Sequence, residues 1–128
     1  MPKKPAKKAS KPKGPSENEV HMKCAQWAQK THPALLIFHV ANERKAPVQY
    51  HLKLKRLGVL KGVADFLAFP IDGRKFAIEL KDDEGEQDSD QVKFQRRWER
   101  TGGLYFVART VDDFQIIING FMMFGSWQ

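Results

Sequence analysis

The amino-acid sequence predicts an α/β domain in which a mixed β-sheet carries helices on its faces. Three observations carry that expectation. Segments with helical spacing alternate with short apolar, β-rich runs in the order α-β-α-β-β-α-β-α, and burying such elements requires a sheet covered by helices. A turn signal, Ile71-Asp72-Gly73, separates two adjacent strand patterns, as in a hairpin. Of the 128 residues 41% are hydrophobic, enough for the core of one domain.

Val20, Cys24, Trp27 and Ala28 recur at helical spacing, which predicts an amphipathic helix over about 17–31 with Ser16 as its cap. His32-Pro33 ends it. Ala34 to Val40 is a continuous apolar run and reads as a buried strand. A loop with Asn42, Glu43, Arg44 and Lys45 leads to a short basic helix around 49–57 that stops at Gly58. Gly62 opens a strand over about 64–69. Lys75 to Lys81 then alternates, with Phe76, Ile78 and Leu80 on one face and Ala77, Glu79 and Lys81 on the other. Six carboxylates and no base occupy Asp82 to Asp90, a stretch that suits a mobile loop and should repel a nucleic acid. A helix over about 90–101 ends at Gly102-Gly103, which reads as a helix stop and not as a phosphate loop. Leu104 to Ala108 is a strand, and Asp112 to Ile118 a short helix beginning near Val111 or Asp112.

The net charge of +7 is unevenly spread. Residues 1–16 hold six lysines, four prolines and no acid, while the remainder balances 16 basic against 15 acidic residues. The first segment therefore reads as a disordered Lys/Pro-rich tail, either a weak, sequence-indifferent polyanion binder or a solubilising segment. The folded unit is expected over 17–128. No apolar run approaches the length of a membrane span, and the lysine-rich start lacks an apolar signal core, so the expectation is a cytoplasmic protein. The single cysteine, Cys24, excludes an internal disulfide and a multi-cysteine zinc site, and reads as a small buried hydrophobe. His21, His32, His39 and His51 are scattered without the paired spacing of a zinc helix, and are taken as structural or surface groups.

The chemistry-bearing pattern is the hairpin. With its turn centred on Asp72, residue i of the first strand faces residue 144 − i of the second, which sets Asp65 opposite Glu79. Lys81 shares their face, and a one-residue slip would scatter the three. Phosphodiester hydrolysis calls for such a group: carboxylates to hold a divalent ion and a cation to orient water or offset phosphate charge. Asp65 and Glu79 would ligate, with the Leu80 backbone carbonyl as a further ligand and Lys81 beside them. A cross-strand ion pair is the ordinary alternative.

Gly58-Val59-Leu60-Lys61-Gly62-Val63-Ala64-Asp65, then Ile78-Glu79-Leu80-Lys81, then Gln91 and the strand after Gly102-Gly103, resembles the VRR-NUC branch of the PD-(D/E)xK nuclease superfamily. The resemblance spans roughly Glu17 to Gly120. It departs at Ala64, where the family usually has proline. It implies a four-stranded mixed sheet flanked by helices (a restriction-endonuclease-like core), with Asp65 and Glu79 as metal ligands and Lys81 as the catalytic lysine. It also implies an acidic residue on the first helix, for which Glu19 is preferred to Glu17, and a glutamine at the site, Gln91. Mg2+ or Mn2+ is the implied cofactor and no nucleotide is required. Stand-alone domains of this kind resemble structure-specific endonucleases that act as homodimers on four-way (Holliday) junctions. Flap-, nick- or single-strand-directed cutting, or a noncatalytic DNA-binding module of the same fold, are the alternatives.

Arg44, Lys45, Lys61, Lys93, Arg97 and Arg100 are the expected contacts to branched DNA. Lys93, Arg96, Arg97 and Arg100 form one stripe of the Gln91 helix, opposite the inward stripe of Gln91, Phe94, Gln95 and Trp98; a solvated basic face is the competing reading. Phe121, Met122, Met123, Phe124 and Trp127 either supply a dimer patch or finish the core.

Overall fold

The computed structural model describes residues 16–41 and 47–125, with the side chains of 124 and 125 outside that description. The elements are α1 (Glu17–Thr31), β1 (Leu36–His39), α2 (Val48–Arg56), β2 (Phe66–Phe69), β3 (Phe76–Leu80), α3 (Ser89–Arg100), β4 (Leu104–Ala108) and α4 (Val111–Gly125). This is the expected order. The four strands form one sheet in the order β1-β2-β3-β4, antiparallel except for the parallel β3–β4 pair. The loop with Arg44 and Lys45, the tail over 1–15 and Trp127 lie outside the described residues. Among the described residues no helix is long and apolar enough to cross a membrane.

Phe66 pairs with Ile78 and Ala68 with Phe76, so the hairpin register sums to 144 as the alternation requires. Its turn closes through the Gly73 N–H donating to Pro70 O at 3.3 Å, with Gly73 at φ +87°. Residues 76–79 are fully buried on both faces. On one face α1 and α4 pack Cys24, Ala28, Phe114, Ile118 and Phe121 against Phe66, Ala68, Phe76, Ile78 and Ala108. On the other, Phe94 and Trp98 of α3 meet Tyr105 and Phe69.

Two expectations change. The 34–40 run is not a buried strand: β1 is an edge strand of four residues, with Leu36 61% and Phe38 43% exposed. A run apolar on both faces lacks the alternation that would have revealed its open side. The last helix is not short either, since α4 continues through Gly120 to Gly125. Phe121 accounts for this. It is buried with its ring 4.1 Å from Phe76, and that packing outweighs the roughly 1 kcal/mol cost of a helical glycine. Phe121 and Met122 thus finish the core, while Met123 is exposed.

Candidate active site

Asp65 stands at the mouth of β2, delivered there by the turn at Gly62. Gly62 has φ +77°, and a Cβ on it would lie 2.3 Å from the Asp90 carbonyl carbon, so only glycine lets this loop cross the start of α3. Asp65 Oδ2 accepts from the Leu80 N–H at 2.6 Å, which locks the carboxylate to the end of β3. The Asp65 carbonyl accepts from His39 Nδ1 and from the Val40 N–H, each at 2.8 Å. Leu80 therefore meets Asp65 through its amide N–H.

The first helix contributes Glu17 and His21, one turn apart on one face. Ligand atoms of Glu17, His21 and Asp65 all fall within 4.8 Å of one another. Glu19, preferred from sequence, is not in this group. Its backbone N–H is held by the Ser16 hydroxyl at 3.2 Å, and two residues of helix turn its side chain by roughly 200° from Glu17. His21, read from sequence as a structural or surface group, stands beside Asp65. Its Nε2 lies 3.8 Å from Asp65 Oδ1 and its ring 4.6 Å from His39. Burial holds the imidazole below its ordinary pKa, with Asp65 opposing that shift.

Glu79 is completely buried. Its Oε1 accepts from the Tyr105 hydroxyl at 2.5 Å and from Gln87 Nε2 at 3.4 Å, while Oε2 has no hydrogen-bond partner among the described residues. Burial, followed by the Glu79 carboxylate and then by Asp65, pushes the Tyr105 phenol far up, so it stays a donor. Gln87 in turn donates to Gln95 Oε1 at 2.9 Å. Gln91 is buried, but its Oε1 accepts from the Asp88 N–H at 2.9 Å and closes a capping box at the start of α3. The glutamine that touches Glu79 is Gln87. Lys81 follows directly after β3, half-buried, with its N–H bonded to Ala108 O at 2.9 Å.

The acidic stretch is fastened to the sheet. Arg109 donates to Asp82 O at 2.6 Å and to Gly85 O at 2.8 Å, and Gln87 and Asp88 have the roles just given. Beside it runs a groove of about 800 Å³ between α2 and α3, lined among others by Lys55, Lys61, Lys93, Arg97, Tyr50 and Phe94. Asp88 and Asp90 also reach its wall. Three of the expected DNA contacts, Lys61, Lys93 and Arg97, thus share one surface; Arg100, exposed a turn farther along α3, is not part of this lining.

Missed from sequence were His21, His39, Gln87 and Tyr105. The i, i+4 spacing of Glu17 and His21 was the one signal that pointed to His21. The partners of Glu79 come from a loop and a neighbouring strand, for which spacing holds no signal.

The donor set suits a divalent cation: two carboxylates and an imidazole converge, with buried unpartnered atoms on His21 and Glu79. No protein-family model and no curated protein matches the sequence. Solved structures do match in fold, two of them as follows. A VRR_NUC domain protein aligns over 84% of this chain and 88% of its own, at 22% identity with a TM-score of 0.67. A VRR_NUC domain aligns over 78% of this chain and 95% of its own, at 17% identity with a TM-score of 0.51. With its four-stranded mixed sheet and flanking helices, the protein folds as a VRR-NUC domain.

Proposed function

We propose that this domain is a divalent-metal-dependent DNA endonuclease. The observation that carries the reading is the convergence of ligand atoms of Glu17, His21 and Asp65 within 4.8 Å of one another, with Asp65 bonded to the Leu80 N–H beside the fully buried Glu79. Burying a carboxylate oxygen without a hydrogen bond is costly, and a cation offsets that cost. Asp65, Glu79 and Glu17 would hold Mg2+ or Mn2+, with the Leu80 carbonyl as a further ligand. Such an ion supplies charge for the phosphate oxygens and lowers the pKa of a bound water.

The chain's own residues do the rest. Tyr105 and Gln87 fix the Glu79 side chain, and the Leu80 N–H fixes that of Asp65. Lys81, two residues beyond Glu79, orients the attacking water or offsets charge on the phosphate. The basic groove at Lys55, Lys61, Lys93 and Arg97 receives the sugar-phosphate backbone. The finer reading is resolution of four-way junctions by a homodimer, because paired symmetric cuts need two sites related by a two-fold axis.

The test uses wild type and Lys81→Ala on labelled four-way junction, flap, nicked, single-stranded and duplex DNA, with Mg2+, Mn2+ or chelator. Paired nicks on the junction alone, lost with chelator and in the variant, are expected. Cutting of flaps or single strands instead overturns the junction reading and keeps the active site. Binding without cutting under every metal condition overturns the nuclease.

A further inference from the structure

His21 Nε2 is withdrawn from solvent and has no hydrogen-bond partner among the described residues. It stands 3.8 Å from Asp65 Oδ1, too far for a hydrogen bond. Two ligands each about 2.1 Å from one ion lie roughly 3 to 4 Å apart, so this separation suits shared coordination. Glu17, one helical turn earlier, brings a carboxylate to the same point. The ring is held there by an edge contact to Phe66 at 5.9 Å and by His39 at 4.6 Å. His39 Nδ1 is itself committed to the Asp65 carbonyl.

We infer that His21 supplies a nitrogen ligand to the cation held by Glu17 and Asp65, and that this nitrogen makes the site select transition-metal ions such as Mn2+ over Mg2+. The inference rests on the metal-dependent reading above. Mg2+ favours a rigid octahedron of oxygens and gives up its waters reluctantly, whereas transition-metal ions accept imidazole more readily. Replacing one oxygen ligand by imidazole therefore penalises Mg2+ more than Mn2+. The remaining oxygen donors, Glu17 and Asp65, are indifferent to the choice.

The test measures Mn2+ and Mg2+ affinity of the full chain by calorimetry, together with the nitrogen modulation of the Mn2+ electron spin echo. Wild type, His21→Gln, His21→Asn and His39→Gln are compared, each checked for its thermal unfolding transition. Nitrogen modulation is expected in wild type and in His39→Gln and absent from both His21 variants. Those variants should bind Mn2+ about tenfold more weakly while Mg2+ affinity changes less than threefold. Equal Mn2+ affinity and unchanged modulation in the His21 variants would overturn the nitrogen ligand and leave the metal-dependent reading intact. Wild type that binds neither ion would overturn both.

Discussion

The two faces of the sheet bury their side chains for different ends. Against α1 and α4 the contact is almost wholly hydrocarbon: Phe66, Phe76 and Ile78 meet Phe114, Ile118 and Phe121. Under α3 the same strands bury Glu79, served by Tyr105, Gln87 and, through Gln87, Gln95. The first arrangement gains free energy from every atom it hides. The second hides a carboxylate oxygen that nothing among the described residues satisfies, and so gives up stability at the place where chemistry is proposed.

Asp65→Asn should break that contrast most sharply on the polar side. The amide oxygen can still accept from the Leu80 N–H, so the fold is expected to persist. Cleavage should fall by at least about 10²-fold with loss of a ligating oxygen. A variant that cuts normally would remove Asp65 from the site. Phe114→Ala probes the other face. The ring is buried, 5.2 Å from Phe66 and 6.2 Å from Trp27, and urea unfolding should show a loss of about 3–5 kcal/mol. Metal affinity of the molecules that remain folded should not change, which calorimetry would check.

Tyr105→Phe sharpens the comparison at smaller scale. Removing the hydroxyl deprives Glu79 Oε1 of its shortest hydrogen bond, for an expected loss of about 1 kcal/mol in urea unfolding. A severalfold drop in turnover with little change in DNA affinity would mark Tyr105 as a positioning residue, and an unchanged turnover would deny it that role. The smallest effect belongs to Cys24, where burial raises the thiol from its ordinary 9.0 to about 11. The unfolded thiol ionises first, so stability should fall as pH rises from about 9 to about 11. Cys24→Ala should flatten that part of the profile, and native protein should resist alkylation at pH 8.

The hydrocarbon face was far more legible than the polar one. Strict alternation over Lys75 to Lys81 and the Asp72-Gly73 turn determine the register, so the Phe66–Ile78 pairing could be read from one sequence. Helix α1 was legible in extent but not in phase at its first turn. Nothing local separates Glu17 from Glu19 until the position of Asp65 is known. Gln87 was hidden among carboxylates, and its role depends on Arg109 pinning the loop from 24 residues or more away. Gln91 suited either the site or a helix cap by residue type, and Asp88 three residues earlier decided for the cap. The edge position of β1 depended on strand order, which an unalternating run does not encode.

The central claim is that the buried Glu79 carboxylate helps to hold a cation at the cost of stability, and Glu79→Gln tests it directly. Thermal unfolding of wild type and variant would be followed with and without Mn2+. The amide can still accept the Tyr105 and Gln87 hydrogen bonds while removing the buried charge. The variant is therefore expected to melt higher than wild type without metal, by about 4–8 °C for each kcal/mol relieved, and to lose most of the Mn2+-induced rise. A variant that melts lower without metal, yet keeps the full Mn2+-induced rise, would contradict the account: Glu79 would then be a structural group and the cation would sit elsewhere.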